Sequence, residues 1–498
     1  MKYTKNGFER LRYGLSNITI LTDDALIAFD NLSDMASNLV SPTIRLGITG
    51  LSRAGKTVFI TSLVHNLIHG GRLPMFEPYA SGRIAQAMLQ PQPSMNVPRF
   101  AYEDHVQTLL EDHAWPKSTA SISELRLTLK YESATAWGRT FGSGVLNIDM
   151  VDYPGEWLLD LPLLGMDFAQ WSNQALDLSR QPARKKLAAK WHAALAKIDA
   201  TAPIEETIAR EQAQIFTQYL RDCREDKSAL STLPPGRFLM PGDLEGSPAL
   251  TFAPLNLPEG AKPEPDSLHA LMQDRFEAYK TIVIKPFFRE HFARLDRQIV
   301  LVDTLQAINA GPEAIQDLEI ALANVLACFR PGSGHWLTSI LSRKIDKILF
   351  AATKADHLHH ENHDRLEALL SRLVEKAIAR AKFAGADVDV QAIASIRATK
   401  EGYMGEGKDK LPVVIGKPLK DQVIDGEKFD GNTKTAIFPG DLPKNPSDLF
   451  SGSKNKQNLT FVRFKPPELE TSADGLTLSL PHIRLDRALQ FLLADRLA

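Results

Sequence analysis

The chain has 498 residues, of which 44% are hydrophobic and 24% are charged, and these values are ordinary for a globular protein. The length allows two or three domains. The formal net charge at pH 7 is -2, which excludes an overall attraction to nucleic acid or to an acidic membrane surface. Cys223 and Cys328 lie far apart in sequence, which favours buried thiols in a reducing compartment over a disulfide.

Residues 1–40 predict an N-terminal helical extension. Apolar residues recur at helical spacing between residues 23 and 39, but the polar face carries aspartates, the wrong sign for an anionic lipid surface. We therefore expect this helix to pack on the following domain. No apolar run is long enough to cross a bilayer, so we predict a cytoplasmic protein with no transmembrane segment and no signal peptide. Peripheral contact with the inner membrane stays open.

Residues 43–49 have the branched side chains of a strand, and residues 58–69 have apolar side chains at helical spacing. Between them, GLSRAGKT at residues 50–57 fits the P-loop pattern G-x-x-x-x-G-K-[ST]. Backbone N–H groups at the start of such a helix bind phosphate, and glycines let the backbone approach it. We predict nucleotide binding by Gly50, Ser52, Arg53, Ala54, Gly55, Lys56, Thr57 and Val58. The alternative is a glycine-rich turn before an ordinary helix, which leaves the Lys-Thr pair unexplained.

Three side chains of this loop have predicted roles. We expect Lys56 to reach the β- and γ-phosphates and the hydroxyl group of Thr57 to bind Mg²⁺. Arg53 is unusual at its position, and two interpretations stay open. It is either an arginine finger supplied in cis, which neutralises charge in the transition state, or an outward-pointing side chain that pairs with a carboxylate or lies on the surface. The loop is similar to that of the guanylate-binding proteins, whose P-loop arginine has the first role.

Switch I is expected between the P-loop helix and the next strand, at residues 125–129. A switch-I threonine gives its hydroxyl group to Mg²⁺ and its backbone N–H to the γ-phosphate. In the segment 115–121 we predict that Thr119 is this residue, with Ser118 and Ser121 as alternatives. A solvated loop whose hydroxyl groups are there by chance stays open as well.

Residues 145–151 alternate as a strand and end in DYPGE at residues 152–156, which contains the D-x-x-G pattern of switch II. We predict that Asp152 holds Mg²⁺ through a water and that the N–H of Gly155 senses the γ-phosphate. Glu156 is the candidate for orienting the attacking water. By itself the pattern also fits an ordinary exit from a strand into a turn.

Residues 345–352 predict a strand that runs into Thr353-Lys354-Ala355-Asp356, a match to the guanine motif [NT]-K-x-D. The Asp356 carboxylate would accept from N1–H and N2–H₂ of guanine, a pattern that adenine does not offer. Lys354 would pack along the base, and the threonine would tether the loop to the P-loop. Ser395 and Ile396 follow the strand 388–394, where a backbone N–H is expected to meet guanine O6. Three motifs in order favour GTP over ATP.

The predicted fold is α/β: a Ras-like P-loop GTPase with a mostly parallel sheet and helices on both faces, formed by residues 41–157 and 297–400. Residues 158–296 predict a helical insertion domain after switch II, interrupted by a proline-rich loop at 231–267. The insertion either moves with the nucleotide or is a rigid cap. Residues 401–498 predict a small β-rich appendage with a closing amphipathic helix.

Four histidines follow the guanine motif: His357, His359, His360 and His363. Their spacing matches no familiar metal site, and no cysteine is near. We therefore predict a solvated helix start here rather than a metal site.

The assembled motifs resemble the YcjX-like family of P-loop GTPases, a stress-associated family of proteobacteria. The residues that carry the resemblance are 50–57, 151–158, 302–306 and 352–356, and the resemblance covers nearly the whole chain. It implies a Mg²⁺-dependent, switch-like protein that binds GTP and GDP and is linked to envelope stress.

We predict an enzyme that hydrolyses GTP to GDP with Mg²⁺ held by Thr57, Thr119 and Asp152. The predicted catalytic residues are Arg53, Lys56 and Glu156. A protein effector or a membrane-associated partner is expected, and no nucleic acid is indicated. Three alternatives stay open: a P-loop ATPase, a nucleotide-gated scaffold with incidental hydrolysis, and a kinase-like transferase, whose substrate pocket the sequence does not reveal.

Overall fold

The computed structural model describes residues 42–498, apart from residues 52, 118, 120, 137–138, 140–143, 227–232, 259, 293, 328–344, 406–409, 425, 450–458, 460 and 470–478. The predicted N-terminal extension, Ser52, Ser118 and Cys328 lie outside the described residues. Cys223 is buried, as predicted, and burial raises the pKa of its thiol to about 11.

The strands of the central sheet are β1 Thr43–Gly50, β2 Ile84–Gln90, β3 Ser123–Tyr131, β4 Val145–Asp152, β5 Arg297–Val302, β6 Lys347–Ala352 and β7 Asp387–Ala392. Their order is β2-β3-β4-β1-β5-β6-β7. From β4 to β7 neighbouring strands are parallel, whereas β3 pairs antiparallel with both β2 and β4. The carboxyl ends of β1, β4, β5, β6 and β7 therefore meet at one edge, where open α/β sheets bind ligands.

The α-helices are α1 Lys56–Ile68, α2 Glu77–Ala80, α3 Tyr102–Leu110, α4 Phe168–Ser179, α5 Pro182–Lys185, α6 Ala189–Leu195, α7 Glu206–Glu225, α8 Gly236–Leu239, α9 Leu268–Tyr279, α10 Lys285–Phe287, α11 Thr304–Ala310, α12 Pro312–Ala327, α13 His363–Leu373, α14 Glu375–Phe383 and α15 Leu485–Leu493. Together with the sheet they confirm the predicted α/β fold.

Both faces of the sheet are covered by helices. On one face, side chains of β1 pack with α1 and with the closing helix α15, in a cluster that includes Leu46, Ile48, Phe59, Leu63, Leu489 and Leu492. On the other face, β5 and β6 pack with α11 to α14, in a cluster that includes Val300, Phe350, Leu305, Ile315, Leu366 and Ala377. The inner strands are thus buried on both sides, as their continuous apolar runs require.

The insertion between β4 and β5 is helical and has its own aromatic core. Trp171 stacks on Phe276 with ring centroids 5.1 Å apart, and Trp191 stacks on Tyr219 at 5.1 Å. Helix α7 buries one stripe of side chains at the spacing of an amphipathic helix, namely Ala209, Gln212, Ala213, Phe216, Tyr219, Leu220 and Cys223. This arrangement confirms the helical insertion after switch II.

The helical segment between α9 and β5 is irregular. After α9, π-helical turns at Lys280–Ile284 and Phe288–Phe292 flank the short α10. Pro286 lies between these turns and has no backbone N–H, so the α-helical hydrogen-bond ladder is interrupted there.

The C-terminal part contains short antiparallel strands, as predicted: β8 Lys400–Met404, β9 Leu411–Gly416, β10 Val423–Ile424, β11 Glu427–Lys428 and β12 Thr435–Ile437. They form a three-stranded sheet in the order β12-β9-β8 and a β10-β11 ladder. Their small core consists of Val414, Phe429, Ile437, Val462 and Phe464. Within the described residues, no helix combines the length and the apolar character needed to cross a membrane.

Candidate functional site

The loop between β1 and α1 has the backbone geometry of a phosphate cradle. Arg53 and Gly55 have left-handed backbone conformations, with φ angles of 64° and 89°. A Cβ atom at Gly50 would lie 2.7 Å from the carbonyl oxygen of Leu301 on β5, so a larger residue does not fit there. The loop thus runs close to the sheet and turns its backbone toward the start of α1, where N–H groups and the helix dipole attract an anion.

Lys56 lies at the centre of this loop. Its amino group donates to the carbonyl oxygen of Gly50 at 2.9 Å, and the side chain is buried. Burial lowers the pKa of Lys56, while the nearby carboxylates of Asp152 and Glu156 act in the opposite direction. A buried ammonium group without a carboxylate in direct contact is suited to bind a phosphate.

The three residues predicted to hold Mg²⁺ come together although they lie on three separate segments. The hydroxyl oxygens of Thr57 and Thr119 are 2.9 Å apart, and both donate to Oδ2 of Asp152, at 3.0 and 2.6 Å. Adjacent ligands of an octahedral Mg²⁺ ion are about 3 Å apart, since its bonds are near 2.1 Å. The spacing of these oxygens therefore fits such an ion.

Asp152 carries a second feature of an ion site. Its other carboxylate oxygen, Oδ1, is buried and has no hydrogen-bond partner among the described residues. Burial raises the pKa of Asp152, and Lys56 and the two threonine hydroxyls oppose the rise. A cation at this position would satisfy the unpaired oxygen and favour the ionised form.

Glu156, the candidate for orienting water, is buried and contacts the insertion. Its Oε1 lies 2.8 Å from Nη2 of Arg224, near the end of α7.

Arg53 lines a cavity next to the P-loop, and in the part of the chain that the structure describes it forms no ion pair. Partial burial and two nearby arginines, Arg463 and Arg224, lower the pKa of Arg53. Arg53 thus has no carboxylate partner among the described residues, and its side chain is exposed, so both the arginine finger and a surface arginine stay predictions.

The guanine motif lies at the end of β6. Asp356 is buried in the 3₁₀ turn Ala355–His357, and its Oδ2 accepts from the backbone N–H of Ala398 at 2.8 Å. Ser395 follows β7, and its carbonyl oxygen accepts from the hydroxyl of Ser62 on α1 at 2.5 Å. The two loops expected to surround a base are thus anchored to each other and to the P-loop helix.

Two side chains of this motif contact β5 or the residue after it, and for Thr353 this differs from the prediction. The Thr353 hydroxyl donates to the carbonyl oxygen of Val302 at 3.3 Å, so it tethers the motif to β5 rather than to the P-loop. Lys354 has a left-handed backbone with φ 63° and its amino group pairs with Asp303, which follows β5. The reason for both is the strand order, which places β5 directly beside β6.

The residues after switch II form the 3₁₀ helix Gly155–Gly165, which the insertion encloses. Asp160 accepts from the N–H of Gly236 at 2.6 Å and from the hydroxyl of Tyr279 at 2.7 Å. Burial raises the pKa of Asp160 to about 6. The Arg237 guanidinium lies 3.2 Å from the centroid of the Trp157 ring. Switch II is therefore held by side chains and backbone of the insertion.

One cavity of about 270 Å³ joins these elements. The predicted site residues that line it are Arg53, Ala54, Gly55, Lys56, Thr57, Val58, Thr119, Gly155, Glu156, Lys354, Asp356, Ser395 and Ile396. Gly50 and Asp152 do not line it directly, but they contact Lys56 and Thr57, which do.

Other residues that line the cavity had no predicted role. Pro116 and Lys117 lie with Trp115 in the segment searched for switch I, and His357 directly follows the guanine motif. Arg463 and Phe464 come from the C-terminal appendage. The short apolar run around them predicted a strand, but nothing in the run indicates that it reaches the nucleotide motifs.

The prediction of a solvated histidine cluster is wrong for two of its members. His359 and His363 are buried, and Nε2 of His363 lies 2.9 Å from the carbonyl oxygen of Ala355. His360 is exposed and its Nδ1 lies 2.5 Å from Oε2 of Glu401. His363 therefore supports the turn that carries Asp356.

Comparisons with known proteins agree with this geometry. The family model described as "YcjX-like family, DUF463" matches residues 44–497. A protein of Escherichia coli strain K12 named "Ras-like GTPase YcjX" is 36% identical over 480 residues, which cover 94% of this chain and 99% of that protein. A protein of the same name from Shewanella oneidensis is 32% identical over 477 residues, 91% of this chain and 94% of that protein. The chain belongs to the YcjX-like family.

Proposed function

We propose that this member of the YcjX-like family binds GTP and GDP with Mg²⁺ and hydrolyses GTP to GDP as a nucleotide-dependent switch. The observation that carries the proposal is the single cavity on which the P-loop, Thr119, switch II and Asp356 converge. Relatives named Ras-like GTPase support the same class of function.

The phosphate end of the cavity supplies the groups that phosphoryl transfer needs. Backbone N–H groups of residues 53–57 and the Lys56 amino group would hold the β- and γ-phosphates. Thr57, Thr119 and Asp152 would hold Mg²⁺, which supplies positive charge to the phosphates when bound. The unpaired Oδ1 of Asp152 and the 2.9 Å between the threonine hydroxyls support this assignment.

Hydrolysis requires a water in line with the bond between the γ-phosphorus and its bridging oxygen. The water oxygen forms a bond to phosphorus, the bridging bond breaks and its electron pair stays on GDP, and the proton that the water loses passes to an oxygen of the released phosphate. Lys56 and Arg53 would stabilise the negative charge on the transferring group. Glu156 borders the cavity and would orient the water, while its Oε1 stays paired with Arg224.

The base end of the cavity supports guanine. Asp356 is fixed by the N–H of Ala398 on one carboxylate oxygen, and the side chain borders the cavity. A buried carboxylate that meets N1–H and N2–H₂ of guanine would meet no comparable donor pair in adenine, and it would be left unsatisfied. This difference favours GTP over ATP.

A nucleotide-gated scaffold is the second candidate function. The contacts of Arg224 with Glu156 and of Arg237 with Trp157 link switch II to the insertion. A change of switch II on nucleotide exchange would therefore alter the contacts that hold the insertion. If the protein is a scaffold, hydrolysis is incidental and a protein or membrane-associated partner binds the insertion.

We also propose the domain limits 41–157 with 297–400 for the GTP-binding domain, 158–296 for the insertion and 401–498 for the appendage. A role in envelope stress belongs to the same proposal.

The test is competition for fluorescent GDP on the purified full chain by GTP, GDP, ATP and XTP with Mg²⁺ present, together with phosphate release from GTP. We expect displacement by GTP and GDP, weak displacement by ATP, and slow phosphate release. Displacement by ATP as strong as by GTP would contradict guanine recognition. Nucleotide binding without any phosphate release would favour the scaffold.

A further inference from the structure

Arg463 reaches the cavity from a part of the chain that carries none of the nucleotide motifs. Its neighbours Val462 and Phe464 are buried in the core of the appendage, whereas Arg463 is exposed and lines the cavity. Side chains alternate across extended backbone, so burying both neighbours turns Arg463 away from that core. The packing of the appendage therefore directs this side chain toward the site.

The backbone of this segment is anchored on both sides of Arg463. Its N–H donates to the side-chain oxygen of Gln422 at 3.2 Å, and its carbonyl oxygen accepts from the N–H of Leu419 at 2.7 Å. The next carbonyl oxygen, on Phe464, accepts from the indole N–H of Trp115 at 2.7 Å. Trp115 also lines the cavity and lies in the segment that carries Thr119. The backbone that carries Arg463 is thus held by hydrogen bonds with three other residues.

The guanidinium of Arg463 forms no ion pair in the described part of the chain, and the same holds for Arg53. The two positive groups are close enough that Arg463 contributes to the lowered pKa of Arg53. Arg463 also acts on the pKa of His357, beside the guanine motif. Two unpaired guanidinium groups at one cavity repel each other, and an anionic ligand between them would remove this cost.

We propose that Arg463 binds the phosphates of the guanine nucleotide, so that the C-terminal appendage completes the phosphate site. The inference rests on the proposed function of this cavity. A guanidinium donates several N–H groups in a planar fork and matches phosphate oxygens well. The carbonyl oxygen of Phe464 accepts a hydrogen bond from Trp115, which lies in the switch-I segment. This hydrogen bond would hold the switch-I segment against the bound nucleotide.

The test uses Arg463→Gln in the full chain and measures dissociation constants for GTP, GDP and GMP by competition with fluorescent GDP. A lost charged hydrogen bond predicts roughly tenfold to hundredfold weaker binding of GTP and GDP. The loss should be smaller for GMP, which has a single phosphate. Arg487→Gln is the control, because it removes an exposed arginine of α15 that does not line the cavity.

Two outcomes would overturn the inference that Arg463 binds the β- and γ-phosphates: unchanged GTP and GDP binding by Arg463→Gln, or an equal loss for all three nucleotides, which indicates a contact with the guanosine monophosphate part that they share. If Arg463→Gln does not fold, as judged by circular dichroism, Arg463→Lys keeps the charge and loses the fork, and we expect an intermediate loss for GTP. Failure of the wild-type chain to bind any guanine nucleotide would instead contradict the proposed function itself.

Discussion

Nη2 of Arg224, near the end of α7, lies 2.8 Å from Oε1 of Glu156, which directly follows the switch-II glycine. Glu156 is buried, and Arg224 is its ion-pair partner from the insertion. We expect Arg224→Ala to lower the free energy of unfolding by about 2–4 kcal/mol, because it removes the ion-pair partner of a buried carboxylate. Denaturant titration followed by circular dichroism measures the loss.

The control for Arg224→Ala is a double-mutant cycle with Glu156→Gln. If the two side chains form one interaction, the double variant is more stable than the sum of the single losses predicts. Additive losses would mean that Arg224 stabilises the insertion through other contacts.

A second prediction concerns Arg53 and catalysis. Arg53→Ala should lower the rate of phosphate release under saturating GTP by at least about a hundredfold, since an arginine finger acts mainly on the transition state. GDP affinity should change much less. Single-turnover kinetics and GDP titration measure the two effects. An unchanged rate would exclude Arg53 as a finger and favour a nucleotide-gated scaffold.

The oxygen cluster of Thr57, Thr119 and Asp152 predicts dependence on Mg²⁺. Thr119→Ala removes one of the three oxygens, so the Mg²⁺ concentration for half-maximal GTP hydrolysis should rise by roughly tenfold or more. Ser121→Ala is the matched control, because Ser121 is exposed and was the alternative ligand in this segment. A larger effect at Ser121 than at Thr119 would contradict the assignment.

Asp356→Asn should change which base the protein prefers. The amide keeps an acceptor for N1–H but offers a donor in place of the second acceptor, so guanine binds more weakly and xanthine gains a partner for its 2-oxo group. We expect GDP affinity to fall by roughly a hundredfold and XDP to compete better than in the wild type. Asp364→Asn, an exposed change on α13, should leave both unchanged. An unaltered GDP-to-XDP ratio would contradict base reading by Asp356.

Asp160 predicts how stability depends on pH. Its pKa is raised from 3.8 to about 6 by burial, so the folded protein binds the proton more tightly than the unfolded chain does. This contribution to stability is fully present below pH 4 and is lost as pH rises to about 6, by roughly 2–3 kcal/mol. The difference in unfolding free energy between wild type and Asp160→Asn should show this slope. A difference independent of pH between 4 and 6 would contradict it.

Much of the site could be predicted because each motif is local. The P-loop needs a strand, two glycines and a helix within one short segment, and Gly50 and Gly55 adopt the close approach and the left-handed backbone that the pattern requires. The guanine motif likewise follows β6 without interruption. Since the parallel strands share one edge, predicting the strands was enough to predict that these motifs meet.

Pairings between distant segments could not be predicted in this way. Thr353 is predicted to tether the guanine motif to the P-loop, yet its hydroxyl group donates to the carbonyl oxygen of Val302, because β5 is the neighbour of β6 in the sheet. His359 and His363 were expected in solvent, but they are buried below the loop that carries Asp356. In each case the side chain's partner depends on strand order and packing.

By itself the sequence predicted the α/β fold, the helical insertion and the places of the P-loop, D-x-x-G and [NT]-K-x-D patterns at strand ends, because each pattern and each hydrophobic period lies within a short segment. Only the tertiary structure decided that Arg224 meets Glu156 and that Arg463 lines the cavity. Burial and charge compensation depend on which remote segments pack together. Hydrophobic patterning predicts that a strand or helix is buried, but it does not specify which segment packs against it.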